Sequence, residues 1–168
     1  MMNVYKTKDI AILPTYATRG SACFDVSAAF QKGDKIKAYN SVNRKIEVLT
    51  KDIEGAAAFL IHPGQRVMVP TGLIFDIPEN YVMKMYIRSS AAAKKGLALS
   101  NGVGIIDSDY VDETHILVHN ISDSLTRIQH GERLAQCIIE PVKQIEMTVV
   151  GTPPSQKTDR EGGIGSTG

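Results

Sequence analysis

The chain has no tryptophan, few aromatic residues (6%) and only two cysteines in 168 residues. The core must therefore be aliphatic. Two lone cysteines, Cys23 and Cys137, in no CxxC spacing, build no disulfide scaffold and point to reduced thiols in a cytoplasmic setting. Charge of one sign is also missing: 19 Lys+Arg against 18 Asp+Glu leave a formal net charge of +1. Without a strong global field, broad binding to nucleic acid or an anionic membrane is excluded as the main task, though a local anion site is not. No apolar run reaches the 18 residues a membrane helix needs, and Lys6, Lys8 and Asp9 break the N-terminus early, so neither a span nor a signal peptide is expected.

What is present is a series of short apolar strands separated by turn residues. Ile10–Leu13, Ala22–Ala29, Arg66–Pro70, Leu73–Ile77, Tyr81–Ile87, Ile116–Val118 and Cys137–Ile139 read as strands, with Pro78-Glu79-Asn80 turning between two of them. Their spacing predicts one all-β domain of sandwich or barrel type over residues 1–150. One segment breaks the pattern. Ser89-Ser90-Ala91-Ala92-Ala93-Lys94-Lys95-Gly96 has a helix's serine start and glycine stop, so it predicts a short helix with Arg88 just ahead. Residues 33–62 read as an inserted hairpin, with Lys35–Tyr39 and Arg44–Leu49 flanking a four-residue loop and basic side chains toward water. From Gly151 to Gly168 the chain carries too little apolar surface to hold itself in order, and reads as a flexible tail.

Three groups of residues could carry chemistry. In the tail, Arg160 precedes a glycine-rich, hydroxyl-bearing stretch: Gly162, Gly163, Ile164, Gly165, Ser166 and Thr167. Converging backbone N–H groups and a guanidinium suit a phosphate; an idle tail has the same composition. Asn101-Gly102 followed by alternation reads as a hairpin, leading to Asp107, Asp109 and Tyr110. A carboxylate after Ile105 and Ile106 could be desolvated and tuned as a base; it could equally be a turn aspartate. Arg88, Ser89 and Ser90 at a helix start suit an anion, or form an ordinary cap. The four histidines form no metal set: His115 and His119 would share a strand face but lie about 13 Å apart.

Taken in order, five segments resemble the five motifs of the trimeric deoxyuridine triphosphatases (dUTPases). They are Ala17–Val26, Arg88-Ser89-Ser90 with Lys94 and Gly96, Asn101 to Glu113, Gly131–Pro141, and Arg160–Gly168. Val69-Pro70-Thr71-Gly72-Leu73 also matches a stretch common in that family. The resemblance implies a jelly-roll-like β-barrel of the β-clip type, with one short helix, assembled as a homotrimer whose active sites are shared between subunits. It implies magnesium-dependent hydrolysis of dUTP to dUMP and pyrophosphate. By position, it implies that Asp107 activates the attacking water and that Asn101, Gly104 and Ile106 surround the uracil. Tyr110 would pack under the deoxyribose. Arg88, Ser89, Ser90 and Gln136 would hold the phosphates, with Arg160, Gly163, Ile164, Gly165, Ser166 and Thr167 closing from another subunit. Asp25 would reach the magnesium through water.

The chain departs from the family pattern at several points. Ile164 stands where the fifth motif usually has an aromatic ring, Arg160 lies one residue closer to the glycine pair, Cys23 and Asp112 replace glycines, and Ile87 replaces a common proline. The related dCTP deaminases share the fold and an Arg-Ser-Ser segment. Their catalytic glutamate would fall at Leu117, and no carboxylate lies between Thr114 and Ser122. A non-catalytic nucleotide-binding regulator is the other alternative.

Overall fold

A computed structural model describes residues 1–159 and 162. Alternating or wholly apolar runs become strands because β-branched and aromatic side chains pack on a pleated surface, and every strand pair is antiparallel. In chain order the strands are β1 (Asn3–Lys6), β2 (Thr15–Tyr16), β3 (Phe24–Ser27), β4 (Lys35–Tyr39), β5 (Lys45–Leu49), β6 (Lys51–Ile53) and β7 (Ala56–Ile61). After them come β8 (Arg66–Pro70), β9 (Leu73–Asp76), β10 (Tyr81–Ile87), the helix α1 (Ser89–Lys95), β11 (Leu97–Leu99) and β12 (Gly104–Ile106). The last three are β13 (His115–Asn120), β14 (Thr126–Gln129) and β15 (Arg133–Pro141).

Two five-stranded sheets, ordered β12-β10-β15-β3-β2 and β11-β13-β8-β4-β5, supply most of one aliphatic core. A three-stranded sheet, β14-β7-β6, and the pair β1-β9 complete it. The jelly-roll-like expectation holds, but the sheets remain separate and do not close into a barrel among the described residues. The core is as aromatic-poor as the composition requires. Phe24 stacks on Phe75 with ring centroids 6.0 Å apart, Phe30 tilts against Phe59 at 5.1 Å, and Ile, Val, Leu, Met and Ala fill the rest.

The predicted hairpin forms as β4 and β5, its loop closed by Asn40, whose Oδ1 accepts from the backbone N–H groups of Val42 and Arg44. Lys35 and Lys37 face water while Ile36 and Ala38 are buried. Further along the same segment, β7 pairs with β14 and sends Phe59 and Ile61 into the core.

Three local expectations are corrected. Ile10–Leu13 forms no strand, and Ile12 and Leu13 stay exposed. Asn101-Gly102 does not close a hairpin: β11 pairs with β13 and β12 with β10, so this turn carries the chain from one sheet to another. Alternation marks extended chain on both sides of a turn but cannot say that the two sides pair. The helix forms as expected, with Gly96 in the left-handed conformation (φ 60°) capping its C-terminus. Its N-cap position, however, is Arg88 rather than a serine, and no side chain caps it.

Candidate active site

Two groups of candidate residues gather around the central strand β10. At its C-terminal end, the antiparallel register sets Gln136 of β15 opposite Tyr86 and Asp25 of β3 opposite Gln136. Directly opposed residues share a face, so Asp25, Gln136 and Tyr86 line one surface of the sheet, and Arg88 follows on the same side by alternation. The Arg88 backbone N–H donates to Leu134 O at 2.9 Å, which ties the start of α1 to β15. Arg88 is thus not a solvated side chain. Its Nε meets Asp25 Oδ1 at 2.9 Å, and Arg133 Nη1 donates to Asp25 Oδ2 at 3.0 Å. The Asp25 side chain is only 12% exposed, so the three charges form a partly desolvated cluster rather than a surface pair. Ser89 and Ser90 lie exposed beside it in the first turn of the helix.

The second is a cavity of about 250 Å³ that meets β10 at Met85, on the buried face of the strand. It is lined by Asn101, Gly104, Ile106, Asp107 and Tyr110, all five singled out from the sequence, together with Met68, Met85, Thr114, His115 and Leu117 from β10, β13 and their neighbours. The volume suits a small flat group rather than a whole nucleotide, since sites for drug-sized ligands start at roughly 300 Å³. Gly104 is required here by packing. A Cβ on it would sit 3.1 Å from Met85 Cβ and 3.7 Å from Asn101 Nδ2. Asp107 and Asp109 do not share an extended face, because residues 107–110 turn, with the Tyr110 N–H donating to Asp107 O at 3.2 Å. Asp107 is also exposed in the single chain, not desolvated by Ile105 and Ile106: Ile105, at the cavity's edge, is itself exposed.

The Tyr110 hydroxyl donates to Glu113 O at 3.1 Å, and His115 Nδ1 lies 2.9 Å from the same oxygen. Burial, and then the nearby Asp112 and Glu113 carboxylates, push the Tyr110 phenol above its usual pKa, which keeps it a donor. Glu113 in turn accepts from the Gly72 N–H at 2.8 Å. Gly72 has φ 68°, and a Cβ there would meet Ala11 Cβ at 2.7 Å, so the Val-Pro-Thr-Gly stretch is fixed by conformation and by space. A second cavity, lined by Glu79, Lys84 and Asp109 among others, flanks Asp107 on its other side. Within it, Lys84 pairs with Glu140 at 2.5 Å, and that hydrogen bond and charge raise the lysine pKa.

Sequence reasoning missed Met68, Met85 and Thr114 as cavity residues. Their apolar or β-branched character marks them as core, and only the fold, which sets β10 of one sheet near the paired β8 and β13 of the other, reveals that this part of the core has a hollow. Among the described residues, no three His, Cys, Asp or Glu side chains assemble as a metal cage. Both Asp25 oxygens already face arginines, so the donor set fits a metal only at second hand, through water and a phosphate-bearing ligand. Arg160, Gly163, Ile164, Gly165, Ser166 and Thr167 lie outside the described residues.

The antiparallel fold that carries this cluster and this cavity has known counterparts. A Staphylococcus bacteriophage 80alpha dUTPase solved with dUPNHPP matches at TM-score 0.76, 22% identity, over 100% of this chain and 98% of that one. A dUTPase from Streptococcus mutans matches at TM-score 0.64, 25% identity, over 87% and 98%. These place the fold in the dUTPase class. In sequence, the dUTPase family model matches residues 50–168. A deoxyuridine 5'-triphosphate nucleotidohydrolase of Rhizobium leguminosarum bv. trifolii is 34% identical over 93% of this chain and 85% of its own. One from Aquifex aeolicus is 38% identical over 80% and 73%. The chain belongs to the dUTPase family.

Proposed function

We propose that this protein hydrolyses dUTP to dUMP and pyrophosphate, with Asp107 as general base. The observation that carries the reading is the cavity itself: Asn101, Gly104, Ile106, Asp107 and Tyr110 line one hollow of nucleobase size in a chain of this family. Asn101 and the neighbouring backbone would pair with the uracil edge. A cavity built for that edge leaves buried groups unpaired when cytosine enters, which costs more than one lost contact. Tyr110, held by Glu113, would support the deoxyribose and crowd a 2′-hydroxyl. Asp107 would take a proton from water as its oxygen attacks the α-phosphorus. The bond from that phosphorus to the bridging oxygen breaks, and pyrophosphate leaves with the electron pair.

Arg88, Ser89, Ser90 and Gln136 would receive the phosphates. Arg88 cannot do so for the Asp107 of its own chain. Ile106 faces Met83, so Asp107 lies near one end of β10 and Arg88 near the other, roughly 17 Å apart at the rise of a strand. A general base acts only within hydrogen-bond reach of its water. In line with what the family resemblance implies, we assign Asp107 and the Arg88 cluster of one catalytic centre to different subunits, in a homotrimer whose tail residues Arg160, Gly163, Ile164, Gly165, Ser166 and Thr167 close over the triphosphate. Magnesium, carried by the triphosphate, would neutralise charge on its oxygens, with Asp25 facing it through water.

The deaminase alternative loses ground at Leu117. It lines the cavity where that chemistry would need a carboxylate, leaving Asp107 as the sole acidic residue there. A pyrophosphate-release assay with dUTP and magnesium, run beside light scattering, tests the proposal. Turnover by a trimer supports it; product formed from dCTP, or tight dUTP binding with no turnover, refutes it.

A further inference from the structure

Thr114 is 2% exposed and fully engaged through its backbone: its N–H donates to Leu73 O at 2.9 Å and its carbonyl accepts from Thr71 Oγ1 at 2.6 Å. Its own hydroxyl, sealed from solvent, has no hydrogen-bond partner. Leaving such a group unsatisfied costs roughly 1–3 kcal/mol, and native proteins rarely tolerate it without a purpose. Valine, of nearly the same shape, would fill this position at the start of β13 without that cost. Thr114 also lines the cavity that holds Asn101, Gly104, Asp107 and Tyr110. The other side chains from this part of the core, Met68, Met85 and Leu117, offer an occupant no hydrogen bond of ordinary strength.

We propose that Thr114 is an additional substrate-binding residue, its hydroxyl donating to a carbonyl oxygen of the bound pyrimidine. A 120° rotation about χ1 moves the hydroxyl to another staggered position with no backbone movement, which lets it reach an occupant of the cavity that Thr114 lines. The group is a specificity determinant that recognises a pyrimidine carbonyl, and it acts in binding rather than in the chemical step. The inference rests on the nucleotide reading of this cavity and adds to it a residue outside the motif residues assigned above.

Thr114→Val and Thr114→Ser separate the roles. In steady-state hydrolysis of dUTP, the valine variant is expected to raise KM roughly two- to tenfold with kcat nearly unchanged, as loss of one hydrogen bond made equally in ground and transition states requires. Serine keeps the hydroxyl and restores KM. Thermal unfolding of the valine variant should occur at the same or a higher temperature than the parent, because an unsatisfied buried hydroxyl is gone. An unchanged KM in a stable valine variant overturns the proposal. So does a lowered unfolding temperature with kcat and KM impaired together in both variants, which marks a purely structural residue. A parent protein that turns over no dUTP would instead sink the nucleotide reading, and this inference with it.

Discussion

The Arg88 cluster and the cavity that holds Asp107 solve different physical problems. The cluster is fixed within the chain: Asp25 holds two guanidiniums, and β3, β15 and the helix start are tied together by strand register and backbone hydrogen bonds. Cations set this way need little reorganisation when phosphate arrives. Asp107 is instead an exposed carboxylate at the rim of a cavity, shielded by nothing among the described residues. One site is preorganised and the other open. A nearly neutral chain can thus gather cations at one place and keep a carboxylate at another; in the proposed function, assembly is what would join them.

Asp107→Asn should break the comparison most severely. It removes the base and leaves the cavity's shape, so turnover should fall by roughly 10²–10⁴-fold while dUTP binding, followed by calorimetry, changes little. Deleting residues 151–168 comes next. The described part of that segment is exposed and forms no strand, so the unfolding temperature should hold. If Arg160 and the hydroxyl residues after it clamp the triphosphate, kcat/KM should drop by roughly ten- to a hundredfold, the worth of one charge-assisted hydrogen bond or a little more.

Asp25→Asn tests the preorganised cluster. With the carboxylate's charge gone, Arg88 and Arg133 are held less firmly, and KM for dUTP should rise roughly tenfold, with about 1–3 kcal/mol lost in denaturant unfolding. An unchanged KM would show that the arginines position themselves. The smallest effect is expected from Ile164→Phe. A ring there would stack on the base and lower KM by a few-fold, since aromatic pairing is worth about 0.5–1.5 kcal/mol.

Much of this could be read before the fold was seen, and the exceptions have physical causes. Strands with strong apolar runs, such as Tyr81–Ile87 and Arg66–Pro70, and the helix stop at Gly96 are local signals, and they lie where expected. β1 was not legible because Asn3, Tyr5 and Lys6 face water; it exists through its pairing with β9, some seventy residues on. β14, Thr-Arg-Ile-Gln, is too short and polar to announce itself and is defined by β7. The site residues were found because each motif is continuous in sequence. The resemblance implied that Arg88 and Asp107 act from different subunits; how far apart they lie within one chain depends on which strands pair and in what register. Thr114 stayed hidden for a related reason: a threonine before an apolar strand is ordinary until its hydroxyl proves to have no partner.

In the proposed function, Arg88 of one chain serves Asp107 of another. The direct test combines two inactive variants, Arg88→Ala and Asp107→Asn, co-expressed with different affinity tags and purified through both, so that every assembly contains each kind of chain. Because an intact Arg88 on one chain can then meet an intact Asp107 on its neighbour, the mixed assemblies should hydrolyse dUTP although neither parent does. Mixed assemblies as inactive as their parents would contradict the claim and return both residues to a single chain's site.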